Sequence, residues 1–292
     1  DGDRAQMQEF IDVCDRYATA RIVDETHTFG AQGPNGAGIV VAEGLADRVH
    51  FRAVGLSKAV ASRGGVIACS RRNAEYFRYE SLPAIFSTSV MQHEVAGFDA
   101  VLDILVTEEW RRTALHANHA YLKAGLDRLG YNVDASWAQI IALEAGDIVQ
   151  TTNLRDALEE RGVFGAIFFP PATPEKRCLI RFTLNCGLSR DDLDRIIQVC
   201  ADIREEVGMA EWRSTKRKKA AVSADAARPE KLQQSVLSDG RLFIHGRHDW
   251  QVYGESGPGV PLGPARDGAA AALDDHSAKR QAKPRADAGS LS

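Results

Sequence analysis

Two strand-like segments of this chain end on residues that can do chemistry. Ile22-Val23-Asp24-Glu25-Thr26-His27 closes an apolar run on a carboxylate, with an imidazole three residues later. Val54-Gly55-Leu56-Ser57-Lys58 places an amine just past a second run. In an open α/β sheet the carboxyl ends of the strands line the ligand crevice. Asp24, His27 and Lys58 can therefore converge on one site.

An amine so placed can condense with the aldehyde of pyridoxal phosphate. A carboxylate facing the pyridine nitrogen keeps the ring protonated, so that it accepts electrons from a carbanion. The lysine, once released, is a natural acid/base for a substrate Cα proton. The histidine can hydrogen-bond the ring hydroxyl or an incoming carbonyl. Taken singly, a strand-end aspartate also reads as a cap or turn residue, and a lysine after a serine as a solvated loop. Asp24-Glu25-Thr26-His27 fits the D-E-x-H box of helicase-type ATPases as well. That scheme needs an upstream phosphate loop, which the chain does not show before Asp24, and it gives Ser57-Lys58 no role.

The elements that position these residues follow from periodicity. Residues 3–18 have the 3-and-4 spacing of a helix, with Met7, Phe10, Ile11, Cys14 and Tyr17 on one stripe. Short apolar runs predict strands at 20–23, 49–54 and 65–69, around a Gly- and Asn-rich loop at 26–38. This alternation predicts an α/β domain with a largely parallel sheet. A long helical stretch over 91–129 breaks near Thr107, and one of its helices is expected to bridge two domains. Strand 140–144, helix 152–161, strands 163–169 and 179–184, and helix 191–207 with Ser189 as N-cap predict a smaller α+β unit. The domains expected are 1–100, 101–209 and a basic, low-complexity tail over 210–292. In that tail the run 213–219 reads as a solvated linker, and Arg241–Tyr253 as an apolar island able to form a short hairpin.

Composition narrows the class. The 292 residues carry 36 Lys+Arg against 40 Asp+Glu, which gives no basic excess that points to nucleic acid. The balance is uneven, however: from Ala210 onward there are 14 basic and 10 acidic residues. No apolar run approaches the length of a membrane helix. The five cysteines, with no C-x-x-C pair, predict a reducing, cytoplasmic setting with neither a disulfide framework nor a metal site. His116 and His119, three apart, read as solvated or interhelix residues, and Cys69 as a buried strand residue. The opening Asp1-Gly2-Asp3 predicts an N-terminal truncation.

The motifs together resemble the α-oxoamine synthases, pyridoxal-phosphate enzymes of the aspartate aminotransferase fold (class I/II). Asp24-Glu25-Thr26-His27-Thr28-Phe29-Gly30 looks like that family's D-E-x-H-x-x-G, and Gly33-Pro34-Asn35-Gly36-Ala37-Gly38 like its G-P-x-G-x-G loop. Leu56-Ser57-Lys58-Ala59 is similar to its cofactor-lysine segment. Arg63-Gly64-Gly65-Val66, Ile85-Phe86-Ser87-Thr88 and Leu179-Ile180-Arg181-Phe182-Thr183 follow in order. Within the family the likeness is greatest to quorum-sensing autoinducer synthases of the α-hydroxyketone type. The alternatives are 8-amino-7-oxononanoate synthase, 2-amino-3-ketobutyrate ligase and 5-aminolevulinate synthase.

The resemblance implies the C-terminal part of a fold-type I transferase: a large, mostly parallel sheet domain, incomplete here, and a smaller α+β domain. It implies pyridoxal phosphate as cofactor, with Lys58 bonded to its aldehyde, Asp24 on the pyridine nitrogen and His27 on the ring hydroxyl and acyl group. Ser57 would reach the phosphate, and Ser87 and Thr88 the phosphate of a neighbouring subunit's cofactor, in a homodimer with shared sites. Arg181 would hold a substrate carboxylate. The substrates implied are an acyl-CoA and a small amino-acid-derived partner, and the product an aminoketone. One departure is Gly55, where the family has a phosphate-binding Thr or Ser. A reading of another class is an inactive fragment that keeps only dimerisation.

Overall fold

The computed structural model describes residues 2–86, 89–218 and 250–254, the last as backbone only. The described chain divides into two compact units: one is built on 7–107 and 250–254, the other on 108–218 with residues 2–6.

The first unit opens with α1 (Met7–Arg16), which buries Met7 and Ile11 of the expected stripe and leaves Phe10 and Tyr17 exposed. β1 (Ile22–Asp24) follows, then α2 (Ile39–Ala42), β2 (Phe51–Gly55) and β3 (Gly65–Ser70). Met7, Ile11, Val40, Leu45 and Val49 form a small core beneath this part. β1 and β2 are parallel, with Asp24 opposite Ala53. β2 and β3 are antiparallel, with Gly55 opposite Gly65. The expectation of a largely parallel sheet holds for the first pair and not for the second. The connection over 56–64 is too short for the crossover that a parallel partner requires, so the Lys58 segment is a hairpin loop.

Three helices complete this unit: α3 (Arg71–Glu80), α4 (Leu82–Ile85) and α5 (Gln92–Thr107). The sequence reading did not include α3. The Ser70 hydroxyl caps it by accepting from Asn73 N, a pattern the polar segment offers without an apolar stripe to announce it.

The second unit begins with α6 (Trp110–Arg128), so the break near Thr107 is also the boundary between units, and neither long helix runs through it. β4 (Ile140–Gly146), α7 (Ile148–Glu159), β5 (Ala166–Phe168), β6 (Cys178–Thr183) and α8 (Arg190–Asp202) follow. The sheet order is β4-β6-β5, all antiparallel. α7 and α8 both start on capping boxes, Asp147 with Gln150 and Ser189 with Asp192. Leu122, Leu126, Ile141, Leu143, Leu154 and Ile180 are the centre of a large continuous core.

That core extends past residue 209. Trp212 is 1% exposed and its indole N–H donates to Val207 O. Residues 213–218 are helical rather than a solvated linker. Ser214 Oγ donates to Glu144 O, Arg217 pairs with Glu144, and Lys218 donates to Tyr131 O. Buried Ser214 and Thr215 sit between basic residues here, which hides this docking from a charge count. Ser87, Thr88 and the start of the 241–253 island lie outside the described residues. The end of that island, β7 (Trp250–Gly254), pairs antiparallel with β3, Val66 facing Gly254. Among the described residues no helix is long and apolar enough to cross a membrane.

Trp212→Ala is expected to destabilise the second unit by about 3 kcal/mol, the usual cost of emptying a buried aromatic site. Denaturant melts of the two proteins measure it, and a loss below about 0.5 kcal/mol, the scatter of surface changes, would place the side chain outside the core.

Candidate active site

The strand-end residues are held by a dense set of local bonds. Strand alternation turns Asp24 to one side and Glu25 to the other, and Thr26 stands in the turn that follows β1. Glu25 N donates to Ala53 O at 2.8 Å, which continues the β1–β2 ladder by one residue. Thr26 Oγ1 accepts from Gly55 N at 2.8 Å, so the ends of both strands are tied side chain to backbone. A Cβ on Gly55 would sit 3.2 Å from the Thr26 hydroxyl and methyl groups. The departure at position 55 therefore leaves the room that Thr26 occupies.

Asp24 is exposed and accepts from Thr26 N at 2.8 Å. Hydrogen bonds from Thr26 hold its carboxyl below the usual carboxylate range, and the positive fields of His27 and Lys58 act in the same direction. His27 and Lys58 thus both lie within electrostatic reach of Asp24.

Lys58 is exposed between two buried anchors, Leu56 and Val60, which pack with Phe29, Phe98 and Val101. Its carbonyl accepts from Ala61 N, and Leu56 N donates to Gly64 O, closing the loop. Among the described residues its amine makes no ion pair. Ser57, beside it, is also exposed. The loop's fit explains the last glycine of the motif. Gly30 has φ +77, and a Cβ there would fall on the Ala59 methyl, next to Lys58.

The loop at 33–38 closes on itself through Gly30 N to Gly36 O and Gly38 N to Gln32 O. Gly38, at φ +93, lies flat against the Glu25 carboxylate, where any Cβ would collide. Glu25 is fully buried and was given no role in the sequence reading. It accepts from Arg52 Nε at 2.5 Å, from Val40 N at 2.9 Å and from Thr28 Oγ1 at 3.3 Å. Arg52 also donates to Ala37 O. A glutamate directly after the strand aspartate, with an arginine inside the next strand, was the available signal.

Arg181 belongs to the second unit, on β6, where its guanidinium stacks over Phe168 at 4.4 Å from the ring centroid. Its Nε is buried and has no hydrogen-bond partner among the described residues. Such an orphaned donor suits a ligand carboxylate or an ordered water. His119 Nε2 is likewise buried and unpartnered. Burial pushes its pKa down to about 4, with Lys123 and His116 adding to the effect. Among the described residues no group of three His, Cys, Asp or Glu could hold a metal ion. Cys69 is buried, and burial raises its thiol pKa.

An amine and an ionised carboxylate at the carboxyl ends of neighbouring parallel strands, on an α/β unit joined in sequence to an α+β unit, define the class of fold-type I transferases. The chain belongs to the aminotransferase class I and II family, whose model matches residues 1–199. It is 35% identical over 201 residues to the CAI-1 autoinducer synthase of Vibrio campbellii, covering 69% of this chain and 51% of that protein. It is 34% identical over 213 residues to the 8-amino-7-oxononanoate synthase of Anaeromyxobacter sp. strain K, covering 73% and 54%. A high-resolution structure of SPT with PLP superposes with a TM-score of 0.67 at 27% identity, covering 71% of this chain and 52% of that one. The chain thus spans about half the length of the curated relatives it matches. These matches uphold the resemblance to α-oxoamine synthases.

Gly30→Ala is expected to lower the unfolding midpoint of the first unit. The substitution adds a left-handed alanine and a collision with Ala59, together about 2 kcal/mol. Thermal melts followed by circular dichroism check it. An unchanged midpoint would mean that the Lys58 loop yields freely.

Proposed function

We propose that the protein carrying this chain is a PLP-dependent C-acyltransferase of the α-oxoamine synthase kind. In this reading it joins an acyl-CoA to a small amino-acid-derived substrate to give an aminoketone. The observation that carries it is the Asp24–Lys58 pair at adjacent strand ends, in a chain of the aminotransferase class I and II family. For the finer assignment we take the autoinducer-synthase branch, supported by the match to the Vibrio campbellii protein.

The residues present fit PLP. Asp24 offers a negative charge that does not depend on burial, and Lys58 an amine free of ion pairs among the described residues. When bound, PLP supplies an electron sink for the pair left behind at a substrate Cα. Asp24 would keep a proton on the ring nitrogen. Lys58 Nζ would hold the cofactor aldehyde and, once released by the substrate amine, would take the Cα proton. His27 would orient the ring hydroxyl and the acyl carbonyl. Arg181, braced on Phe168, holds a carboxylate through its planar fork. Ser57 would serve the phosphate, and Ser87 and Thr88 that of a neighbouring subunit in a homodimer. The reaction forms one carbon–carbon bond and breaks the Cα–hydrogen and acyl–sulfur bonds; CoA leaves as its thiol, and a carboxylate carried by the substrate leaves as carbon dioxide.

Borohydride reduction of the PLP-loaded protein, followed by peptide mapping, tests the reading. The label is expected on Lys58 and lost in Lys58→Ala; label on another lysine would overturn it. Asp24→Asn is expected to fold and to lose most turnover, because a neutral amide no longer supports the ring proton. The sign with pH follows from the direction of the Asp24 shift. A carboxyl with a lowered pKa keeps its charge above that value and loses it only as pH falls through it. The loss of PLP affinity due to Asp24 is therefore expected below about pH 4, and titrations of wild type and Asp24→Asn across acidic pH isolate that limb.

A further inference from the structure

The geometry points to Glu25 and Arg52 as one positioning device for the site: a buried ion pair that locks the Asp24 strand end to the 33–40 loop. The inference rests on the PLP reading above and adds two residues to it. Neither touches the cofactor in that reading, since Glu25 faces the opposite side of the strand from Asp24.

Three connections make the pair a clamp. Glu25 is held through its backbone to β2, by Glu25 N to Ala53 O, and through its side chain to the first turn of α2, by Val40 N. Arg52 lies opposite Val23 in the parallel register, so its guanidinium leaves β2 at the level of the site. It reaches both Glu25 and Ala37 O. Gly38 fits flush on the carboxylate, leaving no slack. The peptide 24–26 is therefore fixed at two points: the Glu25 clamp faces inward, and the Thr26 bond to Gly55 N holds the turn that follows β1. Movement of Glu25 must carry Asp24 and His27 with it, one and two residues away.

Removing one partner leaves the other buried and uncompensated, and both removals break the same lock. Their effects on the site should overlap rather than multiply. The test uses Glu25→Gln, Arg52→Gln and the double variant in the whole protein. It measures the PLP dissociation constant, the absorption maximum of the bound cofactor and the apo unfolding midpoint. Each single variant is expected to weaken PLP binding by about tenfold and to move the absorption maximum, and the double variant to show about the same tenfold loss in total rather than a hundredfold. Arg52→Lys, which keeps the charge but not the fork, is expected to recover part of the affinity, and carries the test if Glu25→Gln does not fold. Variants with lower midpoints but wild-type affinity and absorption would show a purely structural pair and overturn the inference, as would multiplicative losses. A wild-type protein that takes no PLP on Lys58 would overturn the cofactor reading itself, a distinct result.

Discussion

A buried carboxylate is costly unless every lone pair is met. Glu25 meets this with Arg52 of β2, the Val40 amide of α2 and the Thr28 hydroxyl of the loop after β1. The local structure follows from that demand. Arg52 must sit inside β2 at this register, α2 must begin by pointing an amide inward, and position 38 must lack a Cβ. The glycine-rich loop is thus fitted to a neighbouring carboxylate as well as to its own turns. Asp24 is exposed on the other side of the strand because Glu25 is buried on this one.

The Lys58 loop obeys a second constraint, that of a tight hairpin. Its two buried neighbours, Leu56 and Val60, hold an otherwise polar loop against Phe29, Phe98 and Val101. An amine at the apex is then presented to solvent at small entropic cost, since the backbone is already fixed from both ends. Gly30 brings the aspartate loop into contact with Ala59 and so sets the spacing of the two loops. The site is local in sequence: residues 24–30 and 55–60 supply both chemical ends and the packing between them.

That locality is why so much of it was legible. Asp24, His27 and Lys58 follow strand ends, which apolar runs mark well, and Ser189 announces α8 by its capping residues. The direction of β3 was not legible from apolar content, which is the same in a parallel and an antiparallel strand; the nine-residue connection carried that information. Glu25 escaped notice because a buried acid has no periodic signature, and its partner lies in another strand. The docking of 212–218 escaped for a related reason. Basic residues were counted as solvated, whereas Lys218 spans to the Tyr131 carbonyl and Arg217 meets Glu144. Long cationic side chains can pack their stems while pairing their heads, so a charge run beside a buried tryptophan need not be a linker.

The two ends of the proposed cofactor site depend on the protein in different ways. The acid end is self-contained: the Asp24 charge is set by the amide and hydroxyl of Thr26, two residues on, and only secondarily by His27 and Lys58. Such a carboxylate needs no distant arginine to stay ionised, and its partial burial works against the charge. In the proposed reading the phosphate ligands would come from several segments, Ser57 beside Lys58 and Ser87 with Thr88 further along the chain. Gly55 contributes only its amide, already given to Thr26. A phosphate with two negative charges requires several donors at once. In that reading the ring end is encoded in one short motif, whereas the grip on the phosphate would draw on dispersed segments.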